Sequence, residues 1–440
     1  MSFNTAIAGA TCRGVRIKLA PRLTFCALFA FAAFSTPGAH AKTIRVAVEK
    51  GLSSVTVHSE WPIKFMLGSE NVILKTEGGT ARVAVKPGGF SIGGRLARDN
   101  EVTATSSGPI RVGSLRFHGE IQFVKDGHGR MMVVNHVDLE EYVAGVVARE
   151  MGGSWPEEAL KAQAIAARTF ALYQMERSGG RAYDLDNTYN SQVYGGQKGV
   201  NQAVKEAVFA TRGIIARYDG QTAGTFYHSS AGGRTEDLKE VWGGERRPYL
   251  VSRPALFEDR SPHRSWRRAI GAKEVAARLG RLGVRGGPVT AIDAISHTES
   301  GRVRRAKISL GSGKKIIVSG ETLRRILGET RILSTKFEVR RSKKGAFVFS
   351  GEGFGHGVGM SQWSARGMSE NGATYDEIVQ HFYPGVELTQ IYEELQLAQL
   401  QEPAQAAGPE AVVPEDPASA PIAVVESPSP ETQSAGSQAR

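Results

Sequence analysis

Glu150 is the residue in this sequence best placed to move a proton. In DLEEYVAGVVARE, Asp138 to Glu150, helical spacing of about 100° per residue puts Tyr142, Val143, Val146 and Val147 on one arc with Glu150 in its middle, and Glu141 on the other side. A carboxyl on an apolar stripe is desolvated, which disfavours its charged form and raises its pKa toward what a proton donor needs near neutral pH. The plain alternative is a Glu beyond the apolar contact, or one ion-paired with Arg149 or Arg168.

Glycoside hydrolysis ordinarily uses two carboxyl groups, and Asp184, Asp186, Glu236, Asp237 and Glu352 are available as the second, none singled out by pattern. One carboxyl suffices where the substrate supplies its own nucleophile, as when the C6 hydroxyl of a peptidoglycan sugar closes onto the anomeric carbon. His228, His263, His297, His356 and His381 are scattered, without HExxH or CxxC, which argues against a catalytic zinc. Ser229 or Ser230 beside His228 lacks both GxSxG and a third partner. The loop Gly351 to Gly359 carries five alternate glycines, a backbone able to bring N–H groups against a ligand oxygen. It fits neither GxxxxGK[ST] nor GxGxxG, so a nucleotide site is disfavoured. His356, Ser361 and Gln362 there suit sugar hydroxyls and acetamido groups; a tight packing turn with a satisfied histidine is the competing reading.

The elements that must position these groups can be read from pattern. Asp138 with Glu141, and Ser154 with Glu157, fit capping boxes that open two helices spanning Asp138 to Arg177, with Pro156 in the first turn of the second. Residues 42 to about 126 alternate apolar and polar over short runs, which predicts a small β-rich unit. A helix is expected from Gly199 to Thr211 with Val204, Val208 and Phe209 near one face, then a hairpin around Asp219-Gly220 whose second strand delivers Tyr227 and His228. Residues 265–341 mix helix and strand signals and read as an inserted α+β subdomain, after which a strand enters the glycine-rich loop and a helix starts near Met360. The fold class is α+β.

The chain has 440 residues, and 41% hydrophobic with 22% charged is ordinary for a soluble globular protein of two or three packed units. Arg13, Arg16, Lys18 and Arg22 precede the apolar run Leu23 to Phe34, and Ala39-His40-Ala41 offers small residues for cleavage, so residues 1–41 read as a secretory signal peptide that leaves no stable membrane span. Both cysteines, Cys12 and Cys26, lie inside it, and residues 42–440 can form no disulfide or thiolate site. The Pro-, Ala- and Glu-rich segment 391–440 is expected to be flexible. With four basic residues in the leader, and six acidic against one basic in residues 401–440, the net charge of +11 leaves about +12 on residues 42–400. An anionic partner follows, or merely a solvated basic surface. Nucleic acid is disfavoured, because no basic run is interleaved with aromatics.

REMGGSWPEEALKAQAIAARTFAL, DNTYNSQVYGG, TFYHSSAGGRTEDLKEVWGG and GEGFGHGVGMSQW, in this order over most of Asp138 to Pro384, resemble the SpoIID/LytB family of cell-wall proteins. The resemblance implies a SpoIID-like catalytic core over 127–390, containing the 265–341 insertion. It also implies an exported protein, periplasmic or wall-associated, that acts on peptidoglycan glycan strands without a cofactor. Enzymes of the family resemble lytic transglycosylases, cutting between N-acetylmuramic acid and N-acetylglucosamine of peptide-denuded strands to leave 1,6-anhydro sugars. The family's glutamate falls on Glu150, general acid and then base. Its cleft residues fall on Arg168, Gln192, Tyr194, His228, Ser229, His356, Ser361 and Gln362. Arg168 is then expected to hold Glu150 or a sugar substituent, and Tyr194 to stack on a pyranose. Some members carry a metal near SQVYGG through cysteines, which residues 42–440 lack, and Ser364 stands where Gly is commoner. Other members resemble binding proteins that stimulate a cell-wall amidase. A muramidase releasing a reducing end would need a second carboxylate.

Overall fold

The computed structural model describes residues 42–67, 72–75, 79–188, 191–392 and 425–426. The expected leader lies outside them, as does the tail expected to be flexible over 391–440, apart from Ile391 and Tyr392, both buried, and Val425–Glu426, a two-residue strand paired with Lys315–Ser319.

The alternating runs form two sheets. Thr43–Leu52 lies between Met131–Asp138, antiparallel, and Leu185–Asp186, parallel, in a seven-stranded sheet. A six-stranded antiparallel sheet includes Ser54–His58 and Thr80–Lys86. Period-two burial drives both: in Glu120–Lys125, Ile121 and Phe123 are fully buried while Glu120 and Gln122 are not.

Met131–Asp138 runs directly into helix α1, Leu139–Glu150. The Asp138 carboxylate accepts from the Glu140 and Glu141 amides at 2.9 and 3.2 Å. After a short turn comes α2, Glu157–Met175, capped by the Pro156 backbone with no side-chain cap. The Ser154 capping box therefore does not form, because Pro156 takes the N-cap position with an extended backbone. α2 is buried on nearly every side, from Ala159 to Tyr173. Its alanines let α1, the later helices and the strand Ile214–Tyr218 all pack closely around it.

α3, Gln202–Ala210, buries Val204 and Val208 but leaves Phe209 76% exposed, one position off the buried arc. The turn Asp219-Gly220 has positive φ at both residues, 51° and 71°, as a type I′ hairpin requires. The hairpin's second strand is only Gln221–Thr222; Tyr227–His228 instead pairs in parallel with Met360–Ser361. α4 spans Leu238–Trp242.

A second hydrophobic core draws its buried residues from Trp266 to Phe349. It contains α5, Ala272–Arg281, and α6, Gly320–Leu327, against the antiparallel strands Val289–His297, Val303–Leu310 and Lys315–Ser319. A three-stranded sheet completes it, with Ala346–Gly351 between Trp266–Gly271 and Phe337–Arg341. The chain then passes through the glycine-rich loop into α7, Gln362–Glu370, and α8, Tyr375–Phe382, which return to α2.

Candidate functional site

Glu150 ends α1 half-buried, with its two carboxyl oxygens held from different directions. The Val193 amide donates to Oε1 at 3.1 Å and the Gln362 side-chain amide to Oε2 at 3.1 Å. Burial pushes its carboxyl above the ordinary Glu value, against these two donors and the positive Arg149.

Each donor is fixed by a layer beneath it. Gln192, 1% exposed, accepts from the Tyr142 hydroxyl at 2.7 Å and donates to the Tyr227 hydroxyl at 2.9 Å and the Ala167 carbonyl at 3.3 Å. This locks the backbone that aims Val193 N–H at Glu150. Burial, with Glu150 nearby, pushes both phenols well above their ordinary value, so they stay protonated. Gln362 also approaches Gln163 Oε1 at 3.4 Å.

Behind Gln362, the Ser361 hydroxyl caps α7 and donates to buried Glu258. Glu258 also accepts from the Ala231 amide at 2.7 Å and the Gly233 amide at 2.9 Å. Its carboxylate thus ties the YHSSAGG turn to the start of α7.

His228 and His356 lie side by side, ring centroids 5.5 Å apart. His228 donates from Nδ1 to the Val358 carbonyl at 3.2 Å, and His356 accepts at Nδ1 from the Val358 amide at 3.0 Å. Burial drives His356 down to about 3 and His228 well below its usual value, so both are neutral. Ser229, half-buried, uses its carbonyl to accept from the Trp363 amide at 3.0 Å. Among the described residues no group of three His, Cys, Asp or Glu could hold a metal.

Two expected cleft residues are placed elsewhere. Arg168 is fully buried and grips Glu140, with Nε at 2.9 Å and Nη2 at 2.6 Å, so it neither holds Glu150 nor reaches a sugar. Tyr194, 2% exposed, donates to Asn135 at 2.9 Å and packs on Tyr142 and Phe117, leaving no open face for a pyranose. The five possible second carboxylates each have other partners. Asp184 pairs with Arg45, Asp186 with Lys50 and Glu352 with Lys336, while Asp237 caps α4 and Glu236 accepts from Thr298 and Ser300.

Sequence reasoning gave no site role to Gln163, Tyr227 or Glu258: the first two lie inside the blocks that carry the family resemblance, and Glu258 lies in none of them. It also missed the half-buried pair Trp155 and Trp363, centroids 5.0 Å apart, with the Arg366 guanidinium over both rings. Their neighbours in sequence, one turn after Glu150 and directly after Gln362, were the available signal.

The helix carrying the carboxyl and the turn that supplies its amide donor fall inside residues 127–218, which match the model of the Stage II sporulation protein family, SpoIID. Residues 256–359 match a domain of unknown function. The chain is 32% identical over 308 residues to stage II sporulation protein D of Bacillus subtilis, covering 66% of this chain and 86% of that one. It is 33% identical over 275 residues to an uncharacterized protein of Brachyspira hyodysenteriae, covering 62% and 72%. Similarity to the amidase enhancer of Bacillus subtilis is 29% over 289 residues, covering 56% of this chain and 40% of that one. The chain belongs to the SpoIID family.

Proposed function

We propose that this protein is an exported lytic transglycosylase of peptidoglycan, cleaving N-acetylmuramic acid–N-acetylglucosamine bonds of peptide-denuded strands to 1,6-anhydro products. The observation that carries this is the Glu150 carboxyl, its proton affinity raised by burial and its two oxygens held by Val193 and Gln362. Protonated, it donates to the glycosidic oxygen as the bond to the leaving sugar breaks. As a carboxylate it then takes the proton of the C6 hydroxyl as that oxygen bonds to the anomeric carbon. The proton lost in the first step is regained in the second. A muramidase is less well supported, because each of the five candidate second carboxylates is taken up by another partner.

A second reading, a wall-binding protein that stimulates an amidase, is favoured by the similarity to the amidase enhancer. The test is to incubate the protein and its Glu150→Gln variant with intact and amidase-treated peptidoglycan and to weigh the released fragments. Anhydro-ended sugars from denuded strands, absent with the variant, support the lytic reading. Reducing ends support a muramidase, and no fragments with a faster partner amidase support the binding protein.

A further inference from the structure

The positive charge of this chain is concentrated in one place. Residues 265–351, which build the second core, hold 20 basic and 6 acidic residues, a net +14; the rest of residues 42–400 holds 30 basic and 32 acidic, a net −2. Five of the six acids are already in ion pairs: Glu274, Asp293, Glu321, Glu329 and Glu338 face Arg278, Lys307, Arg324, Arg324 and Arg340. Local pairing therefore leaves the excess in place, a positive field suited to attracting an external polyanion.

The three-stranded sheet presents the densest part. Strand alternation puts exposed Arg267 and Arg340 on one face, opposite Ser350 and Val348, and the tight turn that follows adds exposed Lys343 and Lys344, against the single acid Glu338; Arg268 and Arg341 lie on the other face, with Phe349 and Phe347. Its aromatics, Trp266, Phe337, Phe347 and Phe349, are all buried. The surface is thus cationic without rings on which bases could stack, which suits a polymer with spaced carboxylates better than single-stranded nucleic acid.

The second core is joined to the Glu150 site by buried polar contacts. Arg302 donates to the Ala231 carbonyl at 2.8 Å, and the Ala231 amide donates to Glu258, which accepts from Ser361 beside Gln362. A polymer held on the basic sheet is therefore held by an element fixed to the catalytic carboxyl.

We infer that the basic sheet face around Arg267, Arg340, Lys343 and Lys344 binds the free lactyl carboxylates of denuded glycan strands. This rests on the proposed reading of Glu150 and adds the physical basis of substrate choice. When the stem peptide's amide bond is hydrolysed, each muramic acid regains a free carboxylate, so a denuded strand is a regular polyanion carrying one charge on every second sugar. Exposed ion pairs of this kind are individually weak and collectively salt-sensitive.

The test uses the full-length Glu150→Gln protein, which binds without cutting, and sedimentation with denuded glycan strands before and after carbodiimide amidation of their carboxyls. Binding is expected to be about tenfold weaker to the amidated strands, and about tenfold weaker again when salt is raised from about 50 to about 500 mM. The variant Arg267→Gln/Arg340→Gln/Lys343→Gln/Lys344→Gln changes only exposed side chains. With Glu150 intact it is expected to raise KM on denuded strands about tenfold with kcat held. Equal binding to amidated and free strands, or preference for single-stranded DNA or anionic vesicles over denuded glycan, overturns the inference. Carboxylate-dependent binding without anhydro products from the wild type sinks the lytic reading and leaves the inference standing. Anhydro products with carboxylate-independent binding do the reverse.

Discussion

The Gln362 side-chain amide donates to Glu150 at 3.1 Å, joining residues 212 positions apart. A donor to the ionised carboxyl lowers its pKa, so Gln362→Leu is expected to raise it further and to loosen its aim. Turnover on denuded strands should fall about tenfold, with the alkaline limb of the pH–rate profile displaced upward. An unchanged profile would place Gln362 outside the catalytic machinery.

Glu150 itself should trade stability for activity. Its folded pKa is raised, so its contribution to stability is fully present below the unfolded value of about 4.3 and is lost as pH rises through the folded one. Glu150→Gln keeps an acceptor for Val193 and removes the buried charge. Cleavage is expected to drop roughly 100- to 10,000-fold, while the urea midpoint exceeds wild type at pH 8 and converges with it near pH 4.

Arg168 and Glu140 form a buried clamp. Glu140 also accepts from the Gly213 amide at 3.1 Å and the Tyr392 hydroxyl at 2.8 Å, so one carboxylate fastens α1, α2, the start of the 214–218 strand and the chain at residue 392. Arg168→Ala should cost about 3–5 kcal/mol in urea unfolding, because it leaves Glu140 buried without its countercharge. The KM of the folded fraction should not move, as it would if Arg168 touched substrate.

His356 and His228 are neutral in the fold and protonate once unfolded. The folded value of His356 is depressed to about 3 and that of His228 well below its usual value, so the unfolded chain binds more protons as pH falls from about 6.5, and stability falls with it, for His356 down to about 3. Each contributes up to about 1.4 kcal/mol per pH unit there. His356→Asn retains a polar acceptor near the Val358 amide, and urea midpoints from pH 4 to 7 should show a shallower slope than wild type.

Gly357 is packed against Arg302. A Cβ there would stand 2.5 Å from the Arg302 Cζ, at a φ of +88° that L-residues rarely adopt. Gly357→Ala is expected to cost about 1–3 kcal/mol. The steric part should shrink in an Arg302→Ala background, a coupling that a double-mutant cycle reads directly.

Local signals were legible wherever the cause was local. The phase of DLEEYVAGVVARE put Glu150 on the buried arc, Asp138 marked the start of α1, and Asp219-Gly220 announced its hairpin. Partners set by tertiary approach carried no such mark. Glu140 precedes Arg168 by 28 residues and meets it only because α1 packs on α2. Glu258 lies in ALFEDRS, which has no spacing to notice, and the donor at Val193 is a backbone group without a side-chain signature. Tyr194 reads as a sugar platform until Tyr142, Phe117 and Asn135 close around it. Phe209 shows the limit of helical phase, where one position separates burial from exposure.

The strands that enter and leave the second core pair with each other, Trp266 opposite Gly351. To the rest of the molecule, more than eighty residues thus occupy the place of a single hairpin turn, an arrangement through which a module can be gained, lost or exchanged without re-threading its host. What resists such exchange is chemical. Without Arg302, Thr298 and Ser300, the Ala231 carbonyl and the Glu236 carboxylate would be buried with fewer partners, so any replacement must bring its own cation and hydroxyls to that seam.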